Sequence, residues 1–177
     1  MAQTFIQAAH RFRQEVHDVH FVCPTVTRDT RDMFERTVHE QQRTDLPLTL
    51  LFGHSHEALE AADLALVASG TATLETALFK TPMVIAYRQA PLTWALMRTM
   101  IYLPYVGMPN ILAGEKLVPE YLQDDANPAA LAGALLTLLR DTAAQRRQVE
   151  RFREFHHLLR QNAADKAALA VLELINK

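Results

Sequence analysis

Four short apolar runs, each followed by a stretch of helical spacing, constrain this chain more than anything else in it. They are VHFVCP (19–24), LTLLFG (48–53), DLALVA (63–68) and PMVIAY (82–87). Runs rich in Val, Leu and Ile with little polar alternation mark strands covered on both faces. Strands that alternate with helices imply a parallel sheet between two helical layers. The fold class is therefore α/β, a Rossmann-like doubly wound parallel sheet. Such sheets bind ligands beyond the carboxyl ends of their strands. The loops after residues 53, 68 and 87 are the first places to look for a site.

Between the runs, apolar residues recur at helical spacing over 2–16 (Phe5, Ile6, Ala9, Phe12, Val16), 28–42, 55–61, 72–80, 92–102, 128–141, 143–160 and 164–176. Residues 105–108 read as a further short strand. Asn127 is placed to cap the helix from 128, with Pro128 at its first position. One irregularity stands out. The chain opens on a helix, whereas a Rossmann-like unit opens on a strand that lies mid-sheet. That first strand is missing from the pattern.

At 177 residues the expectation is one domain with a real core. The net charge of −2 excludes a general pull toward nucleic acid. One cysteine, Cys23, rules out an internal disulfide and fits a reducing compartment. Residues 90–113 are the most apolar stretch and carry only one charge, Arg98, but Pro91, Pro104, Gly107 and Pro109 break them up, which argues against a spanning helix. His54 and His56 lack a third ligand nearby, so Ser55 as a helix cap explains that segment better than a metal. His156 and His157 sit on a charged helix and read as surface. No metal and no cofactor are expected.

The turn Ser69-Gly70-Thr71 joins the third run to the next helix. The first amides of a helix lack internal partners, and its dipole favours an anion. A glycine there admits a phosphate close to the backbone, and the two hydroxyls add donors. The alternative is a plain strand-to-helix turn with Thr71 as cap. Glu75 falls one residue too late to close a capping box from Thr71. Four residues on, it shares a face with Thr71, where it could accept from ribose hydroxyls or simply complement the dipole. Arg88 follows the fourth run on the same rim, as a phosphate partner or a solvated loop residue. Asn110 is either the cap of the helix after Pro109 or a sugar or phosphate ligand.

The combination ASGTATLE, PMVIAYR and YVGMPNILAGEKLVPEYLQ resembles the C-terminal half of lipid-A-disaccharide synthase, a bacterial glycosyltransferase family of GT-B fold. The match is densest over 63–123, and MPNILAG beside LVPEYLQ is its most specific part. The resemblance implies transfer of 2,3-diacylglucosamine from UDP-2,3-diacylglucosamine to 2,3-diacylglucosamine 1-phosphate (the lipid X-type acceptor), with inversion and release of UDP. It implies that Ser69, Gly70 and Thr71 hold the diphosphate and Glu75 the ribose. Arg88 and Asn110 would lie near the diphosphate or sugar, and the backbone of Gly53 to Glu57 near the uracil. It also implies work at the inner face of the cytoplasmic membrane. The family's N-terminal domain, with the acceptor site and general base, has no counterpart in these residues, so no catalytic residue is assigned. On this basis residues 1–141 form an N-terminally truncated nucleotide-sugar-binding domain. Residues 142–177 are C-terminal helices that in GT-B enzymes pack toward the other domain. A homodimer or a partner chain supplying the missing half would complete the enzyme. Without either, the loss of a central strand should leave the chain weakly stable or self-associating. The alternatives are another UDP-sugar GT-B transferase or epimerase, and a non-catalytic nucleotide-binding module.

Overall fold

A computed structural model describes residues 1–91, 93, 94 and 104–175 of the chain. In order, these form α1 (Ala2–Glu15), β1 (Phe21–Thr25), α2 (Arg28–Glu40), β2 (Leu48–Phe52), α3 (Ser55–Ala61), β3 (Ala65–Ala68), α4 (Thr71–Phe79) and β4 (Met83–Tyr87). Then follow α5 (Met108–Ala113), β5 (Glu120–Leu122), a 3-10 turn (Gln123–Asp125), α6 (Pro128–Arg140), α7 (Thr142–Leu159) and α8 (Ala163–Ile175). The helix expected over 92–102 falls almost wholly outside the described residues.

All described strand pairs are parallel, as the apolar runs imply. They form two sheets, not one: β1 pairs with β2, and β3-β4-β5 stand apart. The expected central gap is therefore real among the described residues. β1 and β3, which border it, do not pair with each other.

β4 shows why its sequence is so apolar. Val84 and Ala86 face one core with Ala8 and Phe12 of α1 and Leu131, Leu135 and Leu138 of α6. Met83 and Ile85 face the other, with Ala77 of α4, Val118, and Phe152 and Phe155 of α7. Successive side chains of a strand point to opposite faces, so a strand with helices on both sides needs apolar residues throughout. Each large side chain buried this way contributes about 1.5–3 kcal/mol. β5 starts too late to accept from the N–H of Met83. The buried side chain of Gln148 takes its place, with its Oε1 accepting at 2.9 Å.

Three local expectations need correction. Residues 105–107 are not a strand, and Met108 already begins α5; the strand of this region is β5, which starts only at Glu120. The N–H groups of Val106 and Gly107 bond to the Glu120 carboxylate instead of a ladder, and Pro109 is favourable in a first helical turn. Asn110 lies inside α5, whose N-cap is Gly107. Likewise the caps of α4 and α3 are Gly70 and His54, one residue before Thr71 and Ser55. Asn127 does cap α6, accepting from Ala130 N–H at 3.0 Å, with Pro128 first in the helix.

Candidate nucleotide-sugar site

The turn after β3 is built around Gly70. Its backbone (φ 143°, ψ −162°) lies where side-chain-bearing residues are strained. A Cβ there would meet nothing within 4 Å, so the conformation requires glycine and crowding does not. Ser69 N–H donates to Ala86 O at 3.0 Å, which anchors the turn to β4. Thr73 then closes the first turn of α4: its N–H and its hydroxyl both donate to Gly70 O, at 3.1 and 2.8 Å.

That arrangement leaves the amides of Thr71 and Ala72 without a partner among the described residues, and no side chain caps the helix. Gly70, Thr71 and Glu75 are exposed. Glu75 forms no hydrogen bond or ion pair with a described residue. With Gly70 as cap, Glu75 stands two residues beyond the capping-box position, so it is not a cap partner. It shares a helical face with Thr71, one turn on. An exposed carboxylate, two open amides and two hydroxyls thus sit together on one rim.

The loop after β2 holds two consecutive left-handed residues, Gly53 (φ 74°) and His54 (φ 55°). Gly53 N–H donates to Thr25 O at 2.8 Å and ties the carboxyl ends of β2 and β1 together. His54 Nδ1 lies 3.0 Å from Glu57 Oε1. That hydrogen bond, aided by Glu57's own backbone amide, draws the Glu57 carboxyl below its ordinary range. Other non-glycine residues in the left-handed region are Gln42, Lys80, Gln123 and Asn162. Among the described residues no group of three His, Cys, Asp or Glu side chains could hold a metal ion.

Arg88 and Asn110 are not drawn to the Gly70 turn. Arg88 turns toward the far side of β4 and pairs with Asp124 at 3.0 Å. Both side chains are well exposed, so the pair is weak and easily exchanged for another anion. Asn110 is fully buried. Its Nδ2 donates to Val118 O and to Glu120 Oε1, both at 2.8 Å, and its Oδ1 accepts from Val118 N–H at 2.7 Å. Its amide is thus committed to holding α5 against the start of β5. Glu120 is the residue that sequence reasoning passed over. It gathers Val106 N–H, Gly107 N–H and Asn110 into one cluster. The available signal was a lone acid between apolar residues in LVPEYL.

A family model described as lipid-A-disaccharide synthetase matches residues 1–174. The chain belongs to this family. It is 49% identical over 175 residues to a lipid-A-disaccharide synthase of Methylobacillus flagellatus, covering 99% of this chain and 46% of that protein. Against the lipid-A-disaccharide synthase of Dechloromonas aromatica the figures are 51% over 177 residues, 99% and 46%. The match to the Aromatoleum aromaticum synthase is similar, at 49% identity over the whole chain and 45% of the relative. The chain therefore spans about half the length of the relatives it matches. No described helix is long and apolar enough to cross a membrane.

Proposed function

We propose that this chain is the donor-binding half of a lipid-A-disaccharide synthase. The enzyme would move 2,3-diacylglucosamine from its UDP derivative to 2,3-diacylglucosamine 1-phosphate, as a hexosyl transfer with inversion that releases UDP. The observation that carries this is the rim at Gly70: two helical amides and, one turn on from Thr71, Glu75, all without a partner among the described residues, in a chain of this family. The amides and hydroxyls suit a diphosphate at a helix N-terminus, and the carboxylate suits a ribose. Gly53 to Glu57 would approach the uracil. Arg88 reaches a phosphate by leaving Asp124, and Asn110 acts by fixing α5, not by touching the ligand. Acylated substrates place the reaction at the cytoplasmic face of the inner membrane. The general base belongs to the part of the enzyme outside these residues, so residues 1–177 alone bind but do not turn over.

Calorimetric titration of the chain with UDP tests this. Glu75→Gln should weaken binding by about 1–1.5 kcal/mol, roughly tenfold, through loss of a charge-assisted hydrogen bond. Because Glu75 is exposed and unpaired, the melt should stay within about 0.5 kcal/mol. Equal UDP affinity of Glu75→Gln, or no saturable binding by the parent chain, would overturn the reading.

A further inference from the structure

Gln7, His10, Arg11 and Gln14 recur in α1 at the spacing i, i+3, i+4 and i+7, so they share one face of the helix. That face lies opposite Ala8 and Phe12, which enter the core. Arg43 approaches it from the loop after α2. That helix ends with Gln42 in the left-handed region (φ 50°). Gln42 N–H donates to His39 O and Arg43 N–H to Val38 O, both at 3.0 Å. These are the two bonds of a Schellman motif, and they turn the chain back toward α1. Gln7 Nε2 then donates to Gln41 Oε1 at 2.6 Å, and Arg13 Nη1 to Asp45 Oδ2 at 3.0 Å, which pin the loop to α1 at two points. Gln7, His10, Arg11, Gln14 and Arg43 line a cavity of about 450 Å³.

This cavity has donors and few acceptors. No carboxylate lines it. Asp45 pairs with Arg13, and Glu15 with Arg140. The side chains of Arg11 and Arg43 form no hydrogen bond or ion pair with a described residue. Arg43 Nε and His10 Nδ1 are buried without a partner among the described residues. Gln14 Nε2 donates to His10 Nε2 at 3.4 Å, so the neutral ring keeps its proton on Nδ1. A buried donor with no acceptor bears the full cost of its lost hydration. Capping of α2 does not account for Arg43, because the carbonyls of Val38 and His39 are already taken by backbone amides and Arg43 Nε reaches neither. The third buried nitrogen of this kind, Arg151 Nε, belongs to a guanidinium already held by Glu154 and the Phe155 ring. The negative end of the α2 dipole, about half a charge, is outweighed by two guanidinium charges.

From these observations we propose that the cavity between α1 and Arg43 is an anion site for a phosphate monoester. Two guanidinium charges match a dianion, and their planar forks match phosphate oxygens. Arg43 Nε–H and His10 Nδ1–H gain acceptors when their side chains turn into the cavity, with no change of backbone. The volume falls in the range of small-molecule sites, roughly 300–1,000 Å³, so it admits the polar remainder of an ester as well as its phosphate. The carboxamides of Gln7 and Gln14 suit hydroxyl groups on that remainder. The cavity lies toward the amino ends of β1 and β2, whereas the Gly53 and Gly70 loops follow the carboxyl ends of β2 and β3. Its occupant leaves the Gly70 rim free, and the inference is independent of the nucleotide reading.

Nitrogen-edited NMR of the full 177-residue chain tests this through the Arg43 Nε–H and His10 ring signals. Inorganic phosphate and glycerol phosphate should shift both saturably, and chloride at matched ionic strength should not. Arg43→Gln and Arg11→Gln should each weaken phosphate binding by at least about tenfold, read at the His10 ring. Arg43→Lys keeps the charge without the fork and should recover only part of the affinity. Neither arginine is bonded in the free chain, so all three variants should keep the parent's backbone amide spectrum. Vesicles of phosphatidylcholine with and without phosphatidic acid separate the sources of the ester. Shifts with glycerol phosphate mark a soluble ligand. Binding only to phosphatidic acid vesicles, abolished by Arg43→Gln, marks a lipid headgroup at the same site. Three outcomes overturn the inference: signals that none of these probes moves, unchanged affinity in both glutamine variants, or phosphate shifts confined to the amides of Thr71 and Ala72. A failure of UDP binding alongside the expected shifts would sink only the nucleotide reading.

Discussion

Asn110 carries the sharpest expectation for a single residue. It satisfies buried Val118 at both backbone groups and helps fix the partly buried Glu120. Truncation leaves buried groups unpaired, so Asn110→Ala should destabilise the chain by about 2–4 kcal/mol, read from urea unfolding. A loss of UDP affinity with unchanged stability would instead make it a direct ligand. His54 supplies a pH-dependent case. Its hydrogen bond holds the Glu57 carboxyl below its ordinary range, so His54→Ala should raise that pKa, measured by carbon-detected titration of the side chain. Any stabilisation from this contact is present above the ordinary carboxylate range and lost as pH falls through the depressed value. The pair is exposed, so the unfolding curve should barely register it. Of the two, Asn110 stood out in the sequence with the wrong local part. Asn110 looks like a cap because it follows a proline. Its real partners lie eight and ten residues on, a separation that no local pattern encodes.

At the level of elements, the long apolar runs were legible because burial on two faces leaves no room for polar residues. LTLLFG and PMVIAY became β2 and β4 nearly residue for residue, and Asn127-Pro128 opened α6 as expected. β5 was not legible. Glu120, Tyr121 and Leu122 are three residues of mixed polarity, and only pairing with β4 makes them a strand. α7 and α8 read alike in sequence yet differ in packing. Phe152 and Phe155 of α7 complete a core, whereas every described side chain of α8 lies in solvent, including Leu169, Val171, Leu172, Leu174 and Ile175. Removing residues 163–177 should therefore change unfolding free energy by no more than about 0.5 kcal/mol. The same deletion should reduce concentration-dependent sedimentation, because a patch of exposed apolar side chains is removed. A large loss of stability would mean that α8 packs on the domain after all.

For the whole molecule, the divided sheet sets the expectation. The free chain should melt at low temperature or associate with itself, and scanning calorimetry at several concentrations distinguishes these from a stable monomer. A sharp, concentration-independent, high-temperature transition would show that the two sheets need nothing between them. The gap itself was legible, because the strand pattern begins one strand too late for a Rossmann-like order. Its outcome, open edges and not direct β1–β3 pairing, depends on how the helices on each face space the strands, which composition does not reveal. The packing of α1 on α6 has a further consequence, for biosynthesis. Ala8 and Phe12 find their partners Leu131 and Leu135 only after roughly a hundred more residues have been made. At ordinary elongation rates that is on the order of ten seconds, during which the first helix leaves the ribosome with its apolar face uncovered. A cell making this chain must shelter α1 until α6 has been made.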